Sequence, residues 1–231
     1  MELVFVHGAL VRDGEWWWRP TAELLLKETG IRSRSLLLPS VGETGARSAG
    51  LAEDARALRD ELDDLHDTAI VVGHSYGGTV IAEAGHHPAI AHLLLISSYL
   101  PAIGNAQGDI MSGEPDPVAV EPTDDGGLRL AGSDLETFTA RFLHDVPEGL
   151  RAGAWERTTT QSLAAFTTPT SRAGWQGVDS TYLVCRDDRS TTVELQRRHA
   201  ALASRAVELP TGHHPFLSRP DLIVEQVRGL A

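Results

Sequence analysis

The sequence predicts an α/β fold: a mostly parallel sheet flanked by helices, in a single domain over 1–231, with a helical cap inserted after the fourth strand. Three observations carry this. Short apolar runs alternate with amphipathic stretches up to about residue 100 and again from residue 180, which is the pattern of βαβ units. One strand-to-helix junction reads Gly73-His74-Ser75-Tyr76-Gly77-Gly78, with Val71-Val72 before it and Val80-Ile81-Ala82 after it. The alternation then breaks between about 102 and 177, where Gly, Pro, Asp and Thr take over.

Taken in order, Leu3-Val4-Phe5-Val6 reads as a buried parallel strand ended by His7-Gly8, with a loop from Gly8-Ala9 at its C-terminal edge. Trp16-Trp17-Trp18 follow. Three consecutive tryptophans cannot all face one core from a helix, so two are expected in the core and one is free to point elsewhere, toward the mouth of a pocket. Pro20 fits the first turn of a helix that runs to about Thr29, with Gly30 as its C-cap. Ile31 to Leu38 is the second strand, stopped by Pro39, and the glycine-bearing stretch from Ser40 to Gly50 is loop.

Leu51, Ala55, Leu58, Leu62 and Leu65 recur at helical spacing. Glu53, Asp54, Asp60, Glu61, Asp63 and Asp64 lie between them and read as a solvated outer face. Thr68 to Val72 is the third strand, a helix follows to about Gly85, and Ala91 to Ser97 is the fourth strand. Inside the break, Leu135–Leu143 and Glu148–Arg157 read as helices, and no sheet strand stands out. Phe138, Phe142, Trp155, Phe166 and Trp175 give this stretch more aromatic residues than a disordered one carries. Ser180 to Cys185 and Arg205 to Leu209 are the last strands, with a helix from Thr192 to Leu202 between them and a closing helix from about Pro220.

The 231 residues suffice for one well-filled core. A net charge of -12 without a basic stripe argues against nucleic acid or an anionic membrane as partner. A small-molecule substrate is the expected partner; oligomeric state is not legible. The lone Cys185 sits in an apolar strand and reads as a packed, inert thiol. Met1-Glu2 and the short apolar run after it have neither the basic start nor the length of a secretory leader, so a cytoplasmic protein is the expectation. No compact set of metal ligands stands out, and neither metal nor organic cofactor is implied.

Gly-x-Ser-x-Gly between a strand and a helix is the nucleophile elbow, which projects a serine hydroxyl from the top of a sheet. Such a hydroxyl needs a base to take its proton and an anion to orient that base. The loop after Cys185 offers Asp187 or Asp188 as the acid, and the loop after Leu209 offers His213 or His214 as the base. All of these loops leave one edge of the sheet. The chain order Ser, Asp, His is that of α/β-hydrolases.

The chain resembles that superfamily over nearly its whole length. The resemblance is closer to the cap-bearing branch of plant methylesterases, α-hydroxynitrile lyases and bacterial esterases. Val6-His7-Gly8-Ala9, the elbow, Val184-Cys185-Arg186-Asp187-Asp188-Arg189 with Leu195-Gln196 beyond it, and Gly212-His213 carry the match. The resemblance implies Ser75 as nucleophile, Asp188 as acid, His213 as base, and an oxyanion hole from the N–H groups of Ala9 and Tyr76. It also implies that the first two strands of the family sheet are missing. Where the lyases carry a threonine and a lysine this chain has Ala9 and His214, which argues against cyanohydrin cleavage. The expectation is a serine hydrolase cleaving a carboxylic ester of a small or medium apolar substrate through an acyl-serine. The alternatives are a cyclase or lyase using His213 as general base, or a ligand-binding receptor.

Overall fold

The computed structural model describes residues 1–41 and 49–230. The chain starts in β1 (Glu2–Val6) and enters α1 (Gly14–Thr29). This helix begins a turn and a half before the expected Pro20, because Asp13 caps it: its side chain accepts from the Trp16 N–H at 3.3 Å. Pro20 therefore lies inside the helix beyond its first turn, where the missing N–H removes the i→i−4 bond to the Trp16 carbonyl. Gly30 closes the helix at φ 74°, its N–H bonded to the Leu26 carbonyl.

The second strand, β2 (Ser33–Ser35), is only three residues long. It is an edge strand paired with β1 alone, and beyond it the chain bends inward to bury Leu36 and Leu38. A short 3-10 turn over Pro39–Val41 follows. The rest of the expected 40–50 loop, residues 42–48, lies outside the described residues. Next come α2 (Leu51–Asp63), β3 (Ala69–His74), α3 (Gly77–Ala84) and β4 (Ile90–Ile96).

After β4 the chain leaves the sheet through α4 (Gln107–Ser112), β5 (Val120–Pro122), β6 (Gly127–Leu130), α5 (Leu135–Phe142), α6 (Glu148–Trp155), β7 (Gln161–Ser162) and α7 (Ala164–Thr167). The two helices expected here are present. So is a small antiparallel sheet, in the order β5-β6-β7, which the sequence did not announce. Its strands have two to four residues, too short for an alternating pattern to register. The chain then returns through β8 (Ser180–Cys185), α8 (Val193–Ala200), β9 (Arg205–Leu209), α9 (Pro215–Ser218) and α10 (Pro220–Arg228).

The main sheet is six-stranded and parallel, in the order β2-β1-β3-β4-β8-β9. Alternate residues of its central strands feed two apolar layers. Val4, Val71, Leu93 and Leu95 meet Leu58, Leu62, Val80 and Ile81 of α2 and α3 on one face. Phe5, Val72, Leu94 and Leu183 meet Trp17, Trp18, Leu25, Phe216 and Val224 on the other. Connections from β1 and from β3 leave in opposite directions, so a crevice opens between their C-terminal ends, where open α/β sheets bind ligands. Among the described residues no helix is long and apolar enough to cross a membrane.

The turn from β3 into α3 depends on missing side chains. A Cβ on Gly73 would fall 2.6 Å from Ile81 Cδ1, and one on Gly77 would fall 2.5 Å from the Val6 carbonyl oxygen. A Cβ on Gly149, in α6, would meet nothing within 4 Å. Gly77→Ala is therefore expected to lower the unfolding free energy by about 1–3 kcal/mol in urea titrations. Gly149→Ala is expected to leave it unchanged or raise it by up to about 1 kcal/mol.

Candidate active site

Three loops at the C-terminal edge of the sheet bring the expected residues together. Ser75 follows β3 directly and has φ 49°, in the left-handed region that L-residues avoid. The strain is held by three bonds: its N–H donates to the Ile96 carbonyl at 3.2 Å, and its carbonyl accepts from Ser98 Oγ at 2.7 Å and from the Gly78 N–H at 3.1 Å.

Of the two candidate acids, Asp188 is the one placed beside a histidine. His213 Nδ1 lies 2.7 Å from Asp188 Oδ2, and the two side chains are 4% and 0% exposed. Asp187 is exposed. Asp188 also accepts from Ser97 Oγ at 2.5 Å, Gln196 Nε2 at 3.1 Å, and the N–H groups of Ser190 and Thr191 at 2.7 and 3.1 Å. Burial opposes ionisation here, but the neighbouring His213 charge and these donors hold the carboxyl below the usual aspartate range. Gln196 adds a brace, since its Oε1 accepts from the Cys185 N–H at 2.8 Å. Ser97, at φ 42°, is a member of this cluster that sequence reasoning missed; a serine after an apolar strand carries no signal of its own.

Of the two candidate bases, His213 alone reaches the acid. His214 turns away, with Nδ1 3.0 Å from the Phe142 carbonyl and its ring stacked on Trp17 at a centroid distance of 5.1 Å. The carbonyl partner requires Nδ1 to carry the proton. Burial pushes His214 down to about 3 and His7 to about 4, and holds His74 well below its ordinary value. His74, His213 and His214 place ring nitrogens within 4.8 Å of one another, and among the described residues they are the group with the composition of a metal site. Each already commits one nitrogen to the protein: His213 to Asp188, His214 to Phe142, and His74 Nε2 to the His213 carbonyl at 3.0 Å.

Ser75 and His213 line one cavity, together with Ala9 and Tyr76. With Nδ1 held by Asp188, Nε2 is the His213 nitrogen left for that cavity. The N–H groups of Ala9 and Tyr76 donate to no protein acceptor among the described residues. The remaining wall is mostly apolar: Trp17 and Phe216 from the sheet side, and Met111, Val118, Phe138 and Phe142 from the inserted segment. Of the three tryptophans, Trp18 fills the core and Trp17 faces the cavity, while Trp16 lies under the Arg157 guanidinium at 4.5 Å.

One expected surface residue lies inside instead. Asp54 is 0% exposed. Its Oδ1 accepts from the Ser40 N–H at 2.9 Å, and its Oδ2 accepts from Ser40 Oγ at 2.6 Å and Tyr76 Oη at 2.8 Å. Burial pushes its carboxyl up to about 6, against the pull of these hydrogen bonds. The helical spacing puts Asp54 on the solvated outer face, and it is the packing of the Pro39–Val41 turn and of Tyr76 against α2 that covers it.

A family model described as the alpha/beta hydrolase family matches residues 3–226. The chain belongs to that family. The pyrethroid hydrolase of Sphingobium wenxiniae is 28% identical over 247 aligned positions, covering 100% of this chain and 87% of that protein. The carbendazim hydrolyzing esterase of Nocardioides sp. is 27% identical, covering 98% of each. The crystal structure of a pyrethroid hydrolase from Sphingobium faniae aligns with a TM-score of 0.83 at 27% identity, over 99% of this chain and 96% of that one. A methylesterase from Arabidopsis shares the fold, with a TM-score of 0.76 at 19% identity over 99% and 98%. The relatives of this alpha/beta hydrolase are thus hydrolases and esterases.

The buried histidines make stability depend on pH with a definite sign. Below pH 6.5 the unfolded chain takes up protons that the folded rings of His7, His74, His199 and His214 refuse; His7 and His199 titrate only at about 4 and His214 at about 3. Stability is therefore full above pH 6.5 and falls as pH drops toward 4, by about 1.4 kcal/mol per pH unit for each ring. Asp54, raised to about 6, acts in the opposite sense and offsets about one ring. Urea midpoints are expected to be lower at pH 5 than at pH 7.5. His199→Asn, which keeps an acceptor for the Leu100 N–H, should flatten that slope by one ring's share.

Proposed function

We propose that this protein is a carboxylic ester hydrolase that works through an acyl-serine intermediate on a small or medium, largely apolar substrate. The observation that carries this reading is that the buried His213, paired with Asp188, lines one apolar cavity with the strained Ser75. His213 Nε2 takes the Ser75 proton as Oγ attacks the ester carbonyl. Asp188 holds the ring and stabilises its positive form. The Ala9 and Tyr76 N–H groups, which have no protein acceptor among the described residues, receive the oxyanion. The alcohol leaves with the proton from His213. Water, activated by the same ring, then releases the acid.

The inserted segment, about 102–177, serves as the cap. Its Met111, Val118, Phe138 and Phe142 give the substrate site its apolar character. The named activities of the two curated relatives, on pyrethroids and on carbendazim, support hydrolysis over other chemistry. So does His214: in the lyases that this chain resembles, a lysine supplies a positive charge there, whereas burial keeps His214 neutral.

The test is hydrolysis of p-nitrophenyl butyrate together with labelling by a fluorophosphonate. Wild type is expected to turn over and gain one adduct, and Ser75→Ala to do neither. Asp188→Asn should lower kcat by about 10³–10⁴-fold while leaving the fold intact. A folded wild type that neither turns over nor labels would refute the reading.

A further inference from the structure

Two backbone strains flank the proposed oxyanion hole, and one buried polar chain reaches both. Leu10, directly after Ala9, has φ 60°, and Ser75, directly before Tyr76, has φ 49°. Leu10 is clamped from the inserted segment on both its polar groups. Its N–H donates to Gln161 Oε1 at 2.8 Å, and its carbonyl accepts from the Thr159 N–H at 2.8 Å. The other end of the Gln161 amide donates to Ser40 Oγ at 2.9 Å. Ser40 Oγ donates to Asp54 Oδ2 at 2.6 Å, and the same oxygen accepts from Tyr76 Oη at 2.8 Å. Gln161, Ser40, Asp54 and Tyr76 are 1%, 4%, 0% and 0% exposed.

A chain of this kind fixes direction as well as distance. The Gln161 amide and the Ser40 hydroxyl each have one donor and one acceptor use, and the Tyr76 hydroxyl donates, so none can rotate without leaving a buried group unpaired. Catalysis by backbone N–H groups depends on such fixity, because the donors must already point at the developing charge. A core that needed only to be filled would put apolar side chains here, as the neighbouring Leu36, Leu38 and Leu58 do. A carboxylate in the middle is an expensive filler and an efficient anchor, since it accepts from both sides at once.

We propose that Gln161, Ser40 and Asp54 are positioning residues that set the Ala9 and Tyr76 N–H groups relative to each other, so that the oxyanion hole is complete only while the inserted segment is seated on the sheet. This rests on the hydrolase reading above. Since Gln161 belongs to the inserted segment, the segment that bounds the substrate cavity also assembles the catalytic donors. The effect falls on the transition state, where the oxyanion exists, and not on ground-state binding.

The experiment cuts the chain at its two ends, by Tyr76→Phe and Gln161→Met, singly and together, with Ser40→Ala as a cut in the middle. Hydrolysis of p-nitrophenyl butyrate is measured per fluorophosphonate-labelled site. Each single change is expected to lower kcat about tenfold, a fraction of the 10²–10³ that losing a whole donor costs, with KM within about twofold. The double variant should be little worse than either single one, because one cut already breaks the chain. Unchanged kcat, a change confined to KM, or losses that multiply would overturn the proposal.

Amide hydrogen exchange supplies a readout that needs no turnover. Tyr76→Phe should speed exchange in residues 8–12, and Gln161→Met in residues 74–78. If wild type hydrolyses nothing yet these remote effects occur, the ester reading fails and the coupling of the two loops stands. If wild type hydrolyses the ester and neither remote segment responds, the coupling is refuted and the ester reading stands.

Discussion

The turn at Ser75 is the constraint that the rest of the structure serves. A parallel strand must become a helix within two residues, which brings the first turn of α3 against the end of β1. Gly77 sits so close to the Val6 carbonyl that a methyl group would reach it at 2.5 Å. This contact sets the distance between the β1 loop and the elbow, and so the distance between Ala9 and Tyr76. It also brings the Tyr76 N–H, at the start of α3, to the cavity that Ala9 lines. The strain at Ser75 persists because the surrounding sheet leaves the chain no other path.

Around that turn the protein buries the Asp188 carboxylate and several histidines, and it handles the two kinds of group differently. Asp188 stays charged because five donors surround it, from two backbone amides, Ser97, Gln196 and His213. His7, His74 and His214 are kept neutral by burial, each with one nitrogen on a backbone carbonyl that fixes its tautomer. The result is a cavity in which His213 is paired with a carboxylate and the other three rings are pinned. On the hydrolase reading proposed above, that asymmetry is what a single proton shuttle between nucleophile and water requires.

The inserted segment is joined to this machinery at more than its covalent ends. Asp145 accepts from the Gly212 N–H at 2.7 Å and from Ser218 Oγ at 2.8 Å, on either side of His213. Val11 pairs with Thr158, and the Arg12 N–H donates to the Arg157 carbonyl at 2.9 Å, beside Ala9. The segment also contributes the Phe138 and Phe142 rings to the same apolar layer that holds the sheet to α1 and α10. It is thus part of the core as well as a wall of the cavity.

Local pattern sufficed for whatever depends on neighbours in the chain. Buried parallel strands announce themselves as apolar runs, and β8 and β9 fall on the residues expected from Ser180–Cys185 and Arg205–Leu209. The elbow was legible because its glycines are demanded by contacts within one strand-turn-helix unit. Asp188 and His213 were singled out only by resemblance, since Asp187 and His214 have the same chemistry one residue away; loop geometry separates them, burying one of each pair against the other and turning its neighbour aside. Ser97, the β5-β6-β7 sheet and the burial of Asp54 came only from the tertiary structure. Each depends on a partner far along the chain, as Asp54 does on Ser40 and Tyr76, and no periodicity of 2 or 3.6 residues records a partner of that kind.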